Sequence, residues 1–260
     1  MPTLDPSIEF RKLRDMYAED PRSDTTTVLV SGYAGSGKTR FAKTCVAPVY
    51  LAMFDPRGEQ TVKKDIDNGR IIPDTRFEFK KWKGRAGPLM NLFLNEIGRM
   101  EQGGLFEHIG TLFIDSFSTM SVALLDACGK DWQEWSERFQ LIISDLNALP
   151  CHIVLTSHLE IIKDEVTGRA EAHMYTPGRV KYWIPGLFSE KYVLNVTGAG
   201  DAAKYTLITK NTGYFKCSTR IGANGIFKAE EEPDMKALLK KAGLPHKDKP
   251  LFNKGEVKSA

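Results

Sequence analysis

A glycine-rich loop directly after an apolar run constrains the fold of this chain more than any other feature. Residues 25–31 read TTTVLVS, as in a buried strand, and residues 32–39 read GYAGSGKT. Glycines at a strand-to-helix turn let backbone N–H groups curl around a phosphate, and the N-terminus of the helix adds a favourable dipole. The pattern therefore predicts a strand, a phosphate-binding loop and a short helix over 39–44.

Individual side chains of this loop have specific expected roles. Lys38 is expected to reach the β- and γ-phosphate oxygens, and Thr39 to offer its hydroxyl to Mg²⁺. The residues expected to bind the nucleotide are Gly32, Tyr33, Ala34, Gly35, Ser36, Gly37, Lys38, Thr39 and Arg40. The sequence contains no Asn-Lys-x-Asp motif for guanine, so the expected nucleotide is ATP.

Alternating strand and helix patterns predict an α/β fold. Three more apolar runs read as strands: 49–54, 111–114 and 153–156. Helical periodicity at 89–102 and 131–149 separates them, which predicts a mostly parallel sheet with helices on both faces. The apolar face of the second helix is expected to contain Trp132, Trp135, Phe139, Ile142, Ile143 and Leu146. Segments 192–197 and 205–209 alternate apolar and polar residues, which predicts added antiparallel strands.

Polar residues at the ends of these strands are candidates for catalysis. Asp115 ends a strand at the sheet edge where ligands bind, and its carboxylate there can hold the water shell of Mg²⁺. His158 either contacts the γ-phosphate or its attacking water, or is a buried, hydrogen-bonded histidine. Asp55 and Glu59 either orient that water or cap a turn.

Two late cations could complete the site from a neighbouring subunit. Arg220 lies far from the loop in sequence and could act as an arginine finger, with Lys216 as the alternative donor. A solvent-facing strand cation is the simpler interpretation.

Composition excludes few classes of function. Lys and Arg number 36 against 33 Asp and Glu, a net charge of +3, which alone does not indicate nucleic acid. The stretch 76–85 (RFEFKKWKGR) mixes cations with aromatic rings, so Lys80, Lys81 and Lys83 either meet phosphates or belong to a solvated loop. No apolar run approaches the ~18 residues of a membrane span, and a cytoplasmic location is expected. The four cysteines form no CxxC pair, so reduced, buried thiols are expected.

The expected organisation has three parts. Residues 1–24 form a leading helix and linker, residues 25–228 form the core, and residues 229–260 form a short helix and a flexible basic tail.

With these motifs the chain resembles the RecA-like branch of P-loop ATPases, and within it the phage-encoded ATPases of the Sak-type single-strand annealing group. The resemblance covers about residues 25–222. It rests on GYAGSGKT, on the strand ends Ile114-Asp115-Ser116 and Thr156-Ser157-His158, and on TPGRVKYWIPGLFSEKYVLNV with the later KCSTR. One departure concerns the water-activating residue: the family carries Asp-x-Glu after the second strand, whereas this chain reads Asp55-Pro56-Arg57, so hydrolysis is expected to be slow.

The resemblance implies an ATPase that binds single-stranded DNA and promotes annealing or strand exchange. It implies a homo-oligomeric filament or ring with ATP between subunits, and a phage single-strand DNA-binding protein as a partner. His158 would be the sensor, and Lys216 or Arg220 the cation acting in trans. DNA is expected at mobile loops over 117–130 and 161–182, and the second loop contains Arg169, Arg179, Lys181 and Tyr182.

Three other functions stay open. A nucleotide-gated binding module would bind ATP with little turnover, which the missing Asp-x-Glu favours. A RecA-like helicase or packaging motor would normally need a further domain. A small-molecule phosphotransferase would normally carry an arginine-rich lid, and the region after His158 reads instead as strands and turns.

Overall fold

The computed structural model describes residues 5–252. Its helices are α1 (Pro6–Glu19), α2 (Lys38–Phe41), α3 (Lys63–Asp67), α4 (Ala86–Gln102), α5 (Phe117–Ala127), α6 (Trp132–Asn147) and α7 (Met235–Lys241). Its strands are β1 (Thr27–Gly32), β2 (Val49–Met53), β3 (Ile71–Asp74), β4 (Thr111–Asp115), β5 (His152–Lys163), β6 (Ala170–Met174), β7 (Glu190–Thr197), β8 (Lys204–Ile208), β9 (Ser218–Thr219) and β10 (Glu230–Glu231).

One large sheet organises the chain, with the strand order β10-β8-β7-β1-β5-β4-β2-β3. The six strands from β7 to β3 in this order are mutually parallel, and β8 and β10 continue the sheet in antiparallel pairing. Because β5 lies between β1 and β4, the strand that leads into the glycine-rich loop does not neighbour the strand that ends at Asp115. This arrangement confirms the expected α/β class, a mostly parallel central sheet with antiparallel strands added towards the C-terminus.

The two faces of the sheet bury separate cores. Side chains alternate across a strand, so Leu29 of β1 packs towards α4, α5 and α6, while Val28 and Val30 pack towards α2 and α7. Helix α6 begins where the Asp131 carboxylate accepts backbone hydrogen bonds from Gln133 (2.9 Å) and Glu134 (3.0 Å). The buried faces of the helices fix the loops at the carboxyl edge of the parallel strands.

Strand β5 is much longer than the run 153–156 that the sequence indicated. Beyond His158 it leaves the main sheet and pairs antiparallel with β6, forming a two-stranded arm whose turn spans 164–169. The turn is held by the Asp164 carboxylate, which accepts backbone hydrogen bonds from Val166 (2.8 Å) and Thr167 (2.9 Å).

The structure differs from two other expectations about local structure. Most of segment 117–130, which was expected to be a mobile loop, is helix α5, with one face buried against the sheet. The tail up to residue 252 is anchored, because Asp248 accepts a hydrogen bond from Ala47 N (2.8 Å) and Lys249 donates to the carbonyl of Ile109 (2.8 Å). The final residues, 253–260, and the first four lie outside the described residues.

The structure confirms the expectation about the cysteines. The four cysteines are free and buried. Within residues 5–252, no helix combines the length and the apolar composition that crossing a membrane requires.

Candidate functional site

The glycine-rich loop lies at the carboxyl end of β1 and turns into α2. Gly35 and Gly37 adopt φ angles of 78° and 92°, which side chains with a Cβ rarely take. Gly32 has no room for a side chain, since a Cβ there would lie 2.2 Å from the Ser36 hydroxyl oxygen. The loop therefore needs these glycines for its curved backbone.

Lys38 is folded back onto this loop. Its Nζ donates hydrogen bonds to the carbonyl oxygens of Gly32 (2.9 Å) and Tyr33 (3.0 Å). Burial lowers the pKa of Lys38, and attraction by Asp115 and Asp55 opposes that shift. The ammonium group is thus held inside the loop, where phosphate oxygens can replace the two carbonyls as its partners.

Asp115 forms the acidic centre of the site. The Thr39 hydroxyl donates to one of its carboxylate oxygens (2.5 Å) and the Thr156 hydroxyl to the other (2.5 Å). Burial raises the pKa of this carboxyl, and the two hydroxyl donors oppose the shift. The peptide bond from Asp115 to Ser116 is cis.

The oxygen donors at this point fit Mg²⁺. Thr39 and Asp115 offer a hydroxyl and a carboxylate side by side, which are hard ligands of the kind that Mg²⁺ prefers. The described part of the chain contains no cluster of three His, Cys, Asp or Glu side chains suited to a metal. Mg²⁺ usually binds through one or two protein oxygens together with phosphates and water, so these two residues suffice.

Asp55 and His158 meet across the mouth of the site. The Nε2 of His158 lies 3.3 Å from the Asp55 carboxylate, and Thr119 donates to the same carboxylate. Although burial raises the pKa of Asp55, hydrogen bonds from His158, Thr119 and Ser116 bring it below its ordinary value. Asp55 is therefore a carboxylate at neutral pH, ready to accept a hydrogen bond from water.

These groups share one cavity of about 450 Å³. Its lining contains the expected Ala34, Gly35, Gly37, Lys38, Thr39, Arg40, Asp55, Asp115 and His158, together with Pro56, Gly58, Thr61 and Tyr205. The structure thus brings together the loop, the acidic centre and the histidine that the sequence placed on three separate strands.

Glu59 does not line this cavity. It lies in a 3-10 turn over Gly58–Val62, and its Oε2 is buried without a hydrogen-bond partner among residues 5–252. Of the two carboxylates considered for orienting water, only Asp55 faces the site.

The late cations also lie outside the cavity of their own chain. Lys216 forms an ion pair with Glu171 of β6 (2.7 Å). Arg220 is exposed, and its backbone N–H donates to Glu190 (2.8 Å). Glu190 is fully buried and also accepts hydrogen bonds from Ile221 N (3.0 Å) and from the Thr219 hydroxyl, so the turn that carries Arg220 is firmly held.

A second cavity of about 370 Å³ adjoins the first at Gly37, Arg40 and Tyr205. It is lined mostly by apolar atoms, and its other residues are Ser36, Phe41, Lys43, Thr44, Leu194 and Pro233. The Tyr205 ring lies over Gly37, 3.7 Å from the position that a Cβ would take. The sequence identified Tyr205 only as a strand residue, because it joins the site through the pairing of β8 with β7.

The basic residues considered for DNA lie on two separate segments. Lys80 and Lys81 belong to a 3-10 turn between β3 and α4, followed by Lys83, and Lys81 pairs with Glu78 (2.8 Å). The others lie on or after the β5–β6 arm, where Lys181 pairs with Glu160 (2.5 Å). Arg169 ends the turn of the arm, while Arg179 and Tyr182 are exposed beyond β6.

Among the comparisons with known proteins, a family model matches the part of the chain that contains this site. No curated protein matches the chain. A similar solved structure is that of a KaiC-like protein from the hyperthermophilic archaeon Pyrococcus horikoshii OT3, with 17% identity, a TM-score of 0.43, and coverage of 70% of this chain and 77% of that one. The AAA domain family matches residues 24–220, which include the loop, Asp115 and His158. The chain therefore belongs to the AAA domain family of P-loop ATPases.

Proposed function

We propose that this chain is a Mg²⁺-dependent ATPase that binds single-stranded DNA and promotes annealing or strand exchange. One observation carries the ATPase part: Lys38, Thr39 and Asp115 line the same cavity as the Asp55–His158 pair. Five groups with complementary roles in phosphoryl transfer thus converge on one place at the carboxyl edge of the sheet.

The roles follow from the geometry. Lys38 would exchange its two carbonyl partners for β- and γ-phosphate oxygens, and Thr39 and Asp115 would hold the Mg²⁺ ion. Bound Mg²⁺ would neutralise the charge of the phosphates. Asp55 orients the attacking water through its carboxylate. Its lowered pKa makes it a weak base, which agrees with slow hydrolysis.

The adjoining cavity is the proposed place of the base. Its apolar lining suits a purine, and the Tyr205 ring offers a flat face beside the loop. We expect Tyr205→Ala to weaken nucleotide binding.

His158 could transmit the state of the nucleotide to the DNA-binding side. Its side chain contacts Asp55, and its carbonyl accepts a hydrogen bond from Tyr175 N (2.7 Å) just after β6. The Ser118 hydroxyl links the same two residues, because it accepts a hydrogen bond from His158 N (3.0 Å) and donates one to the carbonyl of Tyr175 (2.8 Å). A change at Asp55 can therefore move the segment that follows the arm.

The biological setting belongs to the same proposal. The resemblance to Sak-type phage proteins supports recombination or replication in the host cytoplasm. It also supports a filament or ring with ATP at subunit interfaces, and cooperation with a phage single-strand DNA-binding protein. The exposed Arg169, Arg179 and Tyr182 support contact with a single strand.

The test is steady-state ATP hydrolysis with and without an oligothymidylate, in Mg²⁺ and after chelation. Wild type should hydrolyse ATP, faster with DNA, and chelation should abolish turnover. Lys38→Ala should lose activity in both conditions. DNA that neither binds nor stimulates would refute the recombination part and leave the ATPase part standing.

A second candidate is a nucleotide-gated binding module. The displacement of Glu59 from the cavity and the lowered pKa of Asp55 favour it. It predicts tight, Mg²⁺-dependent ATP binding and DNA binding that changes with ATP, with single-turnover hydrolysis too slow to set the rate of DNA release.

A further inference from the structure

An open groove of about 340 Å³ lies between the start of α6 and the segment after β6. We call it the tryptophan groove, and its residues are Trp132, Trp135, Ser136, Gly178, Arg179, Val180 and Trp183. It is separate from both cavities at the glycine-rich loop, with which it shares no lining residue. Nothing in the ATPase site uses these side chains.

The rings of this groove are held in place but open to solvent. Trp135 is buried, and its Nε1 donates to the carbonyl of Ser121 (3.0 Å). Trp132 stands edge-on to Trp135, at 5.7 Å and 89°, and is 52% exposed although it lies on the apolar face of α6. Trp183 is 39% exposed.

Gly178 allows Trp132 to occupy this position. A Cβ on Gly178 would lie 2.7 Å from Cζ3 of Trp132, and the φ angle of 64° also favours glycine. Exposed apolar surface of this kind often marks a binding site. Because Gly178 has no side chain, its backbone leaves room for the Trp132 ring at the surface. The groove therefore offers a positioned aromatic face.

The charge of the groove favours an anionic occupant. Arg179 is the one charged residue among its lining residues. Two cations close to these residues in sequence do not line the groove and form ion pairs, Lys181 with Glu160 (2.5 Å) and Arg138 with Glu134 (3.5 Å). Within residues 5–252 no carboxylate lies within ion-pair distance of Arg179. A ligand with a flat ring and a negative charge matches both features.

We infer that the tryptophan groove binds single-stranded DNA, with a base stacked on Trp132 or Trp183 and the adjacent phosphate paired with Arg179. Nucleotides of a single strand provide the ring and the anion in one unit, and stacking on aromatic rings accepts any base. A proline-rich peptide would also fit aromatic faces but would leave the arginine without a partner. This inference rests on the proposed DNA-binding function and names the site that performs it.

The experiment measures binding of a fluorescein-labelled oligothymidylate by anisotropy. Trp132→Ala and Trp183→Ala should each raise the Kd by roughly 5- to 150-fold, the range for loss of one stacked base. Trp132→Phe should restore most of the binding, because it keeps a ring. Arg179→Gln should weaken binding and reduce the slope of log K against log salt by about 0.7, the value for one lost phosphate contact on a single strand.

The matched control is Leu141→Ala, also on α6 and also exposed, but outside the groove. It should bind DNA like wild type, and thermal unfolding should show that every variant folds. Normal DNA binding by Trp132→Ala, Trp183→Ala and Arg179→Gln would overturn the inference that the tryptophan groove binds DNA, and it would leave the proposed function intact. A change in tryptophan fluorescence that a proline-rich peptide causes and the oligothymidylate does not would also overturn it. Failure of wild type to bind DNA would overturn the proposed DNA function as well.

Discussion

Asp55 and Glu59 follow the same strand, but only Asp55 faces the phosphate cavity. Its carboxylate accepts hydrogen bonds from His158 and Thr119 and lines the same cavity as Lys38 and Asp115. We predict that Asp55→Asn lowers the kcat for ATP hydrolysis by roughly 100-fold or more, because the amide cannot accept the proton or hold the water in the same way. Steady-state phosphate release at saturating ATP measures this.

Glu59→Gln is the matched control for Asp55→Asn. It makes the same chemical change four positions later, and it should leave the kcat within about twofold of wild type, because the Glu59 side chain does not line the cavity in which the phosphates would react. A larger loss in Glu59→Gln than in Asp55→Asn would reassign the water-orienting role to Glu59.

His152 gives the stability of the protein a pH dependence. Burial lowers its pKa to about 4, from 6.5 for the unperturbed group, and its Nε2 lies 3.1 Å from the carbonyl oxygen of Pro245. Between these pH values the unfolded chain binds a proton at His152 and the folded chain does not. The free energy of unfolding contributed by this residue is therefore fully present above pH 6.5 and decreases as the pH falls towards 4, by up to about 3 kcal/mol.

Urea unfolding at pH 7 and pH 5 measures this contribution. We predict that His152→Gln loses less stability than wild type over this interval, since the amide does not titrate. His108→Gln, a change at an exposed histidine, should retain the full wild-type dependence. Equal pH dependence in wild type and His152→Gln would contradict the assignment.

At the scale of elements, two glycines should respond to alanine in opposite directions. Gly98 lies inside α4, where an added Cβ would meet no atom within 4 Å, so Gly98→Ala should stabilise the protein by about 0.5–1 kcal/mol. Gly110 precedes β4, and a Cβ there would lie 2.5 Å from the Val46 carbonyl oxygen. We predict that Gly110→Ala destabilises the protein by about 1–3 kcal/mol. Thermal or urea unfolding of the two variants gives the sign of each effect, and a shift in the same direction would contradict this packing.

Strands were predictable where both faces are buried and less so at the edges. The apolar runs of β1, β2 and β4 are buried on both sides, so their sequences are nearly continuous and easily recognised. β3 was missed because it contains Pro73, which an edge strand tolerates, and β3 ends the sheet. The outer half of β5 was missed because it leaves the sheet and becomes half-exposed.

The residues of the site were also predictable where they lie at the ends of buried strands. Lys38, Asp115 and His158 end or follow buried strands, so parallel topology placed them together. Tyr205 reaches the loop through antiparallel pairing, and Trp132 lies on the apolar side of α6 but beyond the part that the sheet covers. Contacts of this kind depend on tertiary geometry and leave no local pattern in the sequence.

At the scale of the whole molecule, the described lysine and arginine side chains that line the cavity, Lys38 and Arg40, both come from the start of α2. A further cation for the γ-phosphate would have to come from elsewhere, and among the described residues Arg220 is a candidate to supply it to a neighbouring subunit. The turn that presents it is fastened to the buried Glu190 by two backbone N–H groups. Lys216, the alternative, is already paired with Glu171. A positioned, exposed arginine outside its own cavity fits a role across an interface.

Mixing two inactive variants tests this role. Lys38→Ala and Arg220→Ala should each lower the kcat for ATP hydrolysis, the second by roughly 1,000-fold if the arginine acts on the transferring phosphate. In an equimolar mixture, about a quarter of the interfaces would join the intact loop of an Arg220→Ala chain to the intact arginine of a Lys38→Ala chain. Activity should therefore reappear on mixing and increase with protein concentration. An arginine acting within its own chain would give no recovery, and recovery with Lys216→Ala in place of Arg220→Ala would assign the role to the lysine.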